Sequence, residues 1–384
     1  MSKRDELIFW FDQPPHVSKG AFNYISEHWG NKVMFIADHE FPEHRKMIGW
    51  DDGNYGSAEM IYLSKQENQE EYIRNIFEKY PNAIHIMNGF FSTMESKIAH
   101  YVKKEGVKLV VHSEKPLVPR RGYTFKKWIR KILIPIKYKK KYHEYKNYVD
   151  AVVPLGVWGK ELFEKHGWDK NKVFSFMYCP ILKEINLDDE VLVNEPMRFL
   201  YVGRLNYSTR ALDVLMKSFG GLKTDAWHLD LVGGYGDKKD EVFAWAEKQK
   251  NVSILGAWPA HEVGVKMKDY DVYVTPTKID GWNSQLNEAL NAGISVITTN
   301  EAVSDEMVIA AKAGLVVSAY SVAEFKEAVK TAIESPLMVQ EWKRNAKNYR
   351  HRIQGNIVGG YFMDILDYTF YEKQERPKCP WLNK

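Results

Sequence analysis

Short apolar runs rich in β-branched and aromatic residues alternate with longer helix-like segments along the whole chain. This alternation is the sequence signature of βαβ units, whose strands pair into parallel sheets. Ligands of open parallel sheets bind at the carboxyl ends of the strands, so polar residues that follow a strand are candidates for function. In the first half the predicted strands are Leu7–Phe11, Val33–Ala37, Met60–Leu63, Ala83–Met87, Lys108–Val111, Ala151–Leu155 and Val173–Met177.

A second series of strands begins at Met197, with the runs MRFLYVG, HLDLVGG, VSILG, VYVTPT, ISVITT and GLVVSA. The acidic, poorly periodic stretch 183–195 is the predicted join between two domains. We therefore expect an α/β chain with two Rossmann-like doubly wound domains, at 1–185 and 196–355, facing across a cleft. Apolar residues at helical spacing in 356–384 predict a helix that packs back on the first domain.

Composition excludes several classes of protein. With 45% hydrophobic and 27% charged residues, the 384-residue chain is expected to be globular rather than disordered or fibrous. Its two cysteines, Cys179 and Cys379, form neither a disulfide framework nor a clustered metal site, which fits a reducing cytosol and no bound metal. The first apolar run is too short for a secretion signal or a membrane span of roughly 20 residues. We expect a cytoplasmic chain.

The segment at 276–299, PTKIDGWNSQLNEALNAGISVITT, predicts a strand end, a loop and a helix. Backbone N–H groups at the start of a helix bind anions. Those at this predicted start belong to Gly281, Trp282, Asn283 and Ser284. Asp280 precedes the helix, and Glu288, eight residues on, could accept hydrogen bonds from a ribose diol. Taken alone, the two acids fit better with an N-cap and a solvated helix face, and this alternative stays open.

A second candidate segment, YVGRLNYSTRALDVLMKSF, begins on a strand and turns through Gly203 towards a helix. Arg204 and Arg210 flank the turn. Guanidinium groups suit a diphosphate because they make paired, charge-assisted hydrogen bonds and stay charged at physiological pH. Without the segment at 276–299, two solvated loop arginines would be the preferred interpretation.

Glycine-containing loops follow two other strands. FDQPPHVSKGAFNYISEHW predicts a loop in which Gly20 lets the backbone approach a ligand, although Gly20 could be a simple turn residue. Both this segment and VGGYGD, at 232–237, lack the dinucleotide and P-loop fingerprints. A tight strand-to-helix turn accounts for the glycines of VGGYGD.

His112 follows a buried-looking strand, and Glu114 lies two residues further on. A histidine at a strand terminus could donate to a sugar hydroxyl or support developing charge. A purely structural role is about equally favoured.

Together these segments resemble the retaining glycosyltransferases of family 4, also called glycosyl transferases group 1, which have the two-domain GT-B fold. The specific parts are YVGRLN with Arg210, ILGAWPAHEV, YDVYVTPT and DGWNSQLNEALNAGISVI, the last similar to the family's E-x7-E segment. The match in the first half is looser and consists of the Gly20 loop, IHIMNGF, VVHSEKP and VVPLGVWGKELFEKHGWDKNKVFSF.

The resemblance implies a role for each matching residue. The implied catalytic residues are His112, Asp280, Arg204 and Arg210. The implied donor-binding residues are Gly20, Arg204, Arg210, Gly281, Trp282, Asn283, Ser284, Gln285 and Glu288. The arginines would hold the donor diphosphate, Glu288 the ribose, and Asp280 would face the sugar. The family usually has Glu at position 280 and Lys at position 210, so this chain departs from it at both.

The implied activity is transfer of a hexosyl group from a nucleoside-diphosphate sugar to a saccharide acceptor, with retention. No cofactor or metal is expected, because Arg204 and Arg210 can neutralise the departing diphosphate. Retention in the family is commonly explained by same-face attack, in which the leaving phosphate helps to deprotonate the acceptor. We expect a role in surface polysaccharide or lipopolysaccharide assembly.

A strongly basic segment lies at 120–147, in the first domain. Between Arg120 and Lys146 there are eleven Lys and Arg residues against one acid, in a chain of net charge +4. Apolar residues recur at helical spacing, and Pro135 should kink or end the helix. They are Phe125, Trp128, Ile129, Ile132, Leu133 and Ile136.

Three interpretations of this segment stay open. We rank an anionic membrane surface first, which would make the chain peripheral at the inner face of the membrane and its acceptor lipid-linked. A solvated helix whose apolar stripe packs on the first domain comes next, and nucleic-acid binding last. For the whole chain, the alternatives to a glycosyltransferase are another GT-B enzyme, such as a nucleotide-sugar epimerase or phosphorylase, and a non-catalytic lipid- or nucleic-acid-binding protein.

Overall fold

The computed structural model describes residues 4–46, 55–114, 125–187, 190–371 and 373–382. The chain forms two compact units. The first comprises Met1–Ile181 and Gln354–Pro380, and the second Leu182–Ile353 and Trp381–Lys384.

Each unit contains one six-stranded sheet in which all strand pairs are parallel. The strands of the first unit are β1 (Leu7–Phe11), β2 (Val33–Ala37), β3 (Glu59–Tyr62), β4 (Ile84–Asn88), β5 (Lys108–Ser113) and β6 (Ala151–Pro154). Those of the second are β7 (Met197–Val202), β8 (Trp227–Val232), β9 (Val252–Gly256), β10 (Val272–Thr275), β11 (Ser295–Thr299) and β12 (Gly314–Val317).

Helices connect consecutive strands, and most of them begin soon after a strand ends. The α-helices are α1 (Lys19–His28), α2 (Glu43–Lys46), α3 (Gln69–Lys79), α4 (Thr93–Val102), α5 (Phe125–Tyr145), α6 (Gly156–Lys165), α7 (Leu212–Phe219), α8 (Lys239–Ala246), α9 (Ala260–Met267), α10 (Gln285–Asn291), α11 (Asp305–Ala311), α12 (Val322–Glu334), α13 (Pro336–Tyr349) and α14 (Gly355–Phe370). None of the described helices is long and apolar enough to cross a membrane.

The strand order of each sheet defines where a ligand can approach it. The first sheet has the order β3-β2-β1-β4-β5-β6 and the second β12-β11-β10-β7-β8-β9. The direction of the connections reverses between β1 and β4 in the first sheet, and between β10 and β7 in the second. Such a switch point leaves a crevice outside the carboxyl ends of the two strands, where ligands of doubly wound folds bind.

Except for β3 at the edge of the sheet, the strands of the first unit are buried along nearly their whole length, as continuous apolar runs predict. All five residues of β1, LIFWF, are buried. The C-terminal helix α14 packs closely on α1, since a Cβ on Gly355 would lie 2.4 Å from the carbonyl oxygen of Gly20. A Cβ on Gly359 would lie 2.7 Å from the carbonyl oxygen of Ala21, so glycine permits this close contact at both places.

The second unit has the same design. Its core joins Phe199 and Tyr201 of β7 with Leu229 of β8, and Phe219 packs on Trp227 with ring centroids 5.1 Å apart. Trp381, near the end of the chain, is fully buried in this unit. Its indole N–H donates to Glu306 over 2.9 Å.

The fold class predicted from the sequence is confirmed, and one predicted strand is wrong. Val173–Met177 forms no strand and contributes only isolated bridges, Val152 with Val173 and Leu155 with Phe176. Of the two outcomes predicted for Pro135, a kink or an end of the helix, the end does not occur, because α5 continues through Pro135 to Tyr145. The basic residues at 120–124 lie outside the described residues.

Candidate functional site

The loop that follows β7 carries Arg204 and Arg210 at the switch point of the second sheet. The side-chain oxygen of Asn206, which is 8% exposed, organises this loop. It accepts hydrogen bonds from the backbone N–H groups of Thr209 and Arg210, over 3.2 and 2.9 Å. Arg204 is exposed, and its guanidinium has no hydrogen-bond or ion-pair partner among the described residues.

The loop that follows β10 carries Asp280, and the two loops meet. Arg210 donates from Nη1 to Oδ2 of Asp280. Their side chains are only 17% and 15% exposed. Burial works against the charge of Arg210, but the carboxylate of Asp280 raises its pKa above the ordinary value, so the guanidinium stays protonated.

Two fully buried tyrosines, Tyr201 and Tyr273, lie beside this ion pair. Burial raises the pKa of Tyr273. The positive charge of Arg210 acts in the opposite direction, and the carboxylates of Glu288 and Asp280 raise this pKa further. The phenol of Tyr273 is therefore within electrostatic range of three of the predicted site residues, Arg210, Asp280 and Glu288. The structure thus joins Arg210 to Asp280 directly and places Glu288 within electrostatic range of the same phenol.

A second cation that the sequence analysis did not single out also joins the two loops. Lys278 donates from Nζ to Oδ1 of Asp213 over 2.8 Å and to the carbonyl of Tyr207 over 3.0 Å. Its backbone N–H donates to the carbonyl of Thr209 over 2.8 Å. These bonds fix the distance between the loops, and no motif marked Lys278 in advance.

The predicted anion-binding turn is only partly available to a ligand. The N–H of Asn283 donates to the carbonyl of Ala302 over 3.2 Å, so the expectation that it faces an anion is wrong. The side chain of Asn283 donates to Oγ1 of Thr275 over 3.3 Å, and its carbonyl accepts from Ser304 over 2.9 Å. These three hydrogen bonds of Asn283 hold the turn in place. The other residues predicted to bind the anion, Gly281, Trp282, Ser284 and Gln285, immediately precede or begin α10.

Glu288 lies in the first turn of α10 and keeps part of its surface accessible. Burial raises the pKa of this carboxyl to about 8, so it is largely protonated at neutral pH in the absence of a ligand. Gly264 of α9 faces it, with an added Cβ 3.8 Å from Cγ of Glu288. The absence of a side chain at Gly264 leaves room beside the carboxyl group.

Close backbone packing explains why glycines occur in VGGYGD. A Cβ on Gly233 would lie 2.3 Å from the carbonyl oxygen of Gly203, and one on Gly236 would lie 2.2 Å from that of Leu205. The N–H of Leu205 donates to the carbonyl of Tyr235 over 2.9 Å. This loop therefore supports the backbone on either side of Arg204.

In the first unit, His112 lies at the carboxyl end of β5 and is 2% exposed. Its Nδ1 is 3.4 Å from Oδ1 of Asn88, and its Nε2 has no partner among the described residues. Burial lowers the pKa of His112 to about 4, so the ring is neutral at physiological pH. With the proton on Nδ1, Nε2 offers a lone pair to a hydroxyl donor.

The surroundings of His112 are largely aromatic. Phe176 contacts the ring edge-on with centroids 5.6 Å apart, and Tyr178 lies 6.0 Å away. Tyr178 donates to Oε1 of Glu114 over 2.6 Å, so Glu114 is part of the same strand-end cluster. Tyr178 and Asn88 are neighbours that sequence spacing did not reveal.

Gly20 lies in the first turn of α1 rather than in a loop, which corrects the sequence-based placement. Its N–H donates to the carbonyl of Cys179 over 2.9 Å, and a Cβ there would lie 2.4 Å from the carbonyl oxygen of Pro180. The close approach that requires glycine is therefore made by the protein's own backbone. Its role towards a donor stays a prediction.

No cluster of His, Cys, Asp and Glu suited to a metal ion occurs among the described residues.

The two parallel sheets with their connecting helices define an α/β protein with two Rossmann-like domains. Residues 183–349 match the family model described as "Glycosyl transferases group 1". The second unit therefore carries a group 1 glycosyltransferase domain, and the resemblance predicted from the sequence is confirmed at this level. No curated protein sequence matches the chain significantly.

Solved structures are similar to nearly the whole chain. Sucrose-phosphate synthase from Thermosynechococcus elongatus aligns with a TM-score of 0.73 at 13% identity, covering 96% of this chain and 100% of that one. The lipopolysaccharide outer core galactosyltransferase WaaB gives 0.68 at 15% identity, over 94% and 99%. Anabaena HepE in complex with UDP-glucose gives 0.68 at 12% identity, over 94% and 99%. At these identities the likeness shows the fold, two Rossmann-like domains of the GT-B class.

Proposed function

We propose that this chain transfers a hexosyl group from a nucleoside-diphosphate sugar to a lipid-linked saccharide, with retention and without a metal, in surface glycan assembly. The observation that carries the proposal is the ion pair of Arg210 with Asp280 at the switch point of the second sheet, with Glu288 on the helix that follows and Arg204 exposed in the loop after β7. The group 1 glycosyltransferase domain and the similarity to HepE, whose structure contains UDP-glucose, support it.

The proposed donor chemistry follows from these groups. Arg204 and Arg210 bind the diphosphate and stabilise the negative charge that grows as the glycosidic bond breaks. Glu288 accepts hydrogen bonds from the ribose hydroxyls, and Asp280 faces the sugar. The two guanidinium groups supply the positive charge that a divalent ion supplies in other transferases, which is the reason for proposing metal independence.

For the reacting centre we propose same-face attack by the acceptor hydroxyl. The leaving diphosphate takes the acceptor proton, because the carboxylate proposed to face the sugar, that of Asp280, is already paired with Arg210. His112, with a neutral ring, orients a sugar hydroxyl through Nε2 rather than acting as a cationic acid.

The proposed lipid acceptor rests on α5. Ile132, Leu133 and Ile136, which we call the α5 stripe, are exposed, Ile136 to 59%. The opposite side of the helix packs on the unit, with Tyr142 on Trp168 and Tyr145 on Phe90 at centroid distances of 5.4 and 5.3 Å. At 3.6 residues per turn, Ile136 and Tyr138 point in directions about 160° apart.

The stripe favours the membrane interpretation over the packed helix, since its apolar residues face outwards. Lys137, Lys139 and Lys140 are exposed on the same helix, and each basic residue near an anionic lipid surface contributes roughly 1 kcal/mol to binding. Exposed Phe91 lies 5.0 Å from Tyr138 and extends the apolar surface. The side chains of Phe125 and Trp128 lie outside the described part of the chain.

The helix is anchored firmly enough to present such a surface. Glu95 of α4, which is 6% exposed, accepts hydrogen bonds from Tyr145 and, over 2.8 Å, from Lys141. Glu144 pairs with Lys103 over 2.7 Å. Peripheral contact at the cytoplasmic face of a membrane is proposed on this basis.

The activity is tested by incubating the protein with nucleoside-diphosphate sugars and a bacterial lipid extract in the presence of EDTA. Release of nucleoside diphosphate together with a glycosylated lipid product supports the proposal, and R204A and E288A should lose it. R74A is the matched control, because Arg74 is 52% exposed and makes only long contacts, 3.9 Å, within its own helix. Conversion of the sugar without an acceptor would indicate an epimerase instead.

A further inference from the structure

Tyr235 is an exposed aromatic residue at the carboxyl end of β8, in the loop that supports Arg204. Its side chain is 49% exposed. Among the large apolar side chains that are exposed in the described part of the chain, the aromatic ones are Phe91, beside α5, and Tyr235. Single exposed apolar residues are common on protein surfaces, so exposure alone assigns nothing to Tyr235.

The backbone that carries Tyr235 is held from both sides. On one side it is bonded to Leu205, the residue that follows Arg204, by the 2.9 Å hydrogen bond to the Tyr235 carbonyl. On the other side the N–H of Gly233 donates to the carbonyl of Gly256 over 2.8 Å, and a Cβ on Gly234 would touch that of Ala257 at 3.3 Å. The backbone that carries the Tyr235 ring is therefore held in place between the loops that follow β7 and β9.

The cationic side chain of Arg204 and the aromatic side chain of Tyr235 therefore lie on neighbouring loops at the same edge of the sheet. Arg204 has no partner among the described residues, and the hydroxyl of Tyr201, which donates to the Arg204 carbonyl over 2.7 Å, fixes its backbone. A nucleoside diphosphate offers an anionic group and a flat heterocycle in one small molecule. Aromatic side chains stack on nucleobases of any sequence, because every base has a π-face.

We propose that Tyr235 is the stacking platform for the base of the donor nucleotide, with Arg204 holding the diphosphate of the same molecule. This inference rests on the proposed function. It names a base-contacting residue in addition to the charged residues of the site, and it predicts that Tyr235 contributes to binding without reading the base through hydrogen bonds.

The test is calorimetric titration of UDP, GDP, ADP and dTDP into wild type, Y235A, Y235F and R204A. The nucleoside of the nucleotide that binds most tightly, and inorganic pyrophosphate, are titrated into the same four proteins. We expect Y235A to bind the diphosphate and the nucleoside roughly five- to a hundredfold more weakly and pyrophosphate unchanged. Y235F should keep wild-type affinity, and R204A should lose pyrophosphate. Saturation-transfer NMR should show the base protons of the bound nucleotide close to protein in wild type and less so in Y235A.

The outcomes separate this inference from the proposed function. If wild type binds a nucleoside diphosphate and Y235A binds it equally well, the stacking role is wrong while the donor site stands. If wild type binds none of the four, both fail. Equal melting temperatures of Y235A and wild type establish that the exposed substitution leaves the fold intact.

Discussion

Arg210 and Asp280, 70 residues apart in the chain, form a largely buried ion pair at the switch point of the second sheet. The pair joins the loop after β7 to the loop after β10, and each side chain neutralises the other. A diphosphate that binds Arg210 must therefore share the guanidinium with Asp280 or displace the carboxylate. The first prediction follows from this competition.

Replacing Asp280 by Asn should destabilise the free protein and strengthen nucleotide binding. The uncompensated guanidinium should lower the free energy of unfolding by roughly 1–3 kcal/mol. A diphosphate then meets no competing carboxylate, so we expect D280N to bind nucleoside diphosphate several-fold more tightly while losing transfer activity. Urea unfolding and calorimetry measure the two effects.

D225N is the matched control, because Asp225 pairs with Lys250 on the surface with both side chains mostly exposed, and it should change neither quantity. Weaker nucleotide binding by D280N, comparable with that of R210A, would contradict the competition between carboxylate and diphosphate.

Nucleotide affinity should depend on the protonation of Glu288. Burial raises the pKa of this carboxyl to about 8 in the free protein. Ribose hydroxyls that donate to it favour the ionised form and lower its pKa in the complex, so affinity should rise as the pH increases from 6.5 towards 8 and then level off. Calorimetry at several pH values measures this rise, and E288Q, measured in parallel, corrects for titration of the nucleotide's own phosphate. Identical pH profiles for wild type and E288Q would rule out this linkage.

His112 should contribute to transfer without titrating in the working range. Because burial lowers the pKa of His112 to about 4, the ring is neutral from pH 5.5 to 8. We expect H112A to reduce the transfer rate by roughly 100-fold, the lower end of the range for a positioned catalytic group, while the pH profile keeps its shape. Rates measured at half-unit pH intervals test this. If the transfer rate of wild type changed with a midpoint near pH 6.5 and this change were absent in H112A, His112 would titrate in the working range, which contradicts the prediction.

The α5 stripe should mediate binding to anionic vesicles. The double variant I132S/I136S removes apolar area from the outward face and leaves the packed tyrosines untouched, so flotation with phosphatidylglycerol vesicles should fall strongly. L337S is the matched control, since Leu337 is 81% exposed in the second unit, on α13. High salt should weaken binding of wild type, because the lysine contribution is screened. Equal flotation of both variants, or a wild type that never floats and sediments as a dimer through the stripe, would exclude the membrane role.

The strands and the strand-end position of the charged residues could be predicted because they depend on local pattern. β1 and β2 have the predicted bounds, since continuous apolar runs leave little choice in a parallel sheet. The position of Arg204 follows equally directly from the end of β7. Carboxyl ends meet at one edge of a sheet, so proximity to the loop after β10 follows from topology alone.

Contacts that depend on tertiary geometry could not be predicted. The ion pair of Arg210 with Asp280 needs the two loop conformations, and the use of the Asn283 N–H by Ala302 needs the neighbouring loop. Helical spacing in α5 is compatible with either side facing inwards, and the structure turns Tyr142 and Tyr145 to the core. Gly20 marks a close approach in the sequence, but only the fold shows that Pro180 makes it.

The most direct test of a nucleotide-sugar donor site is a thermal-shift and calorimetry screen of wild type and R204A against UDP, GDP, ADP and dTDP. A ligand at 100 times its Kd stabilises the folded state by about 2.7 kcal/mol, which a shift in melting temperature reveals readily. We predict that one nucleotide stabilises wild type by such an amount and that R204A loses most of the effect, while R74A keeps it. Absence of stabilisation by all four nucleotides, with and without the lipid extract, would contradict the donor site and with it the proposed transfer.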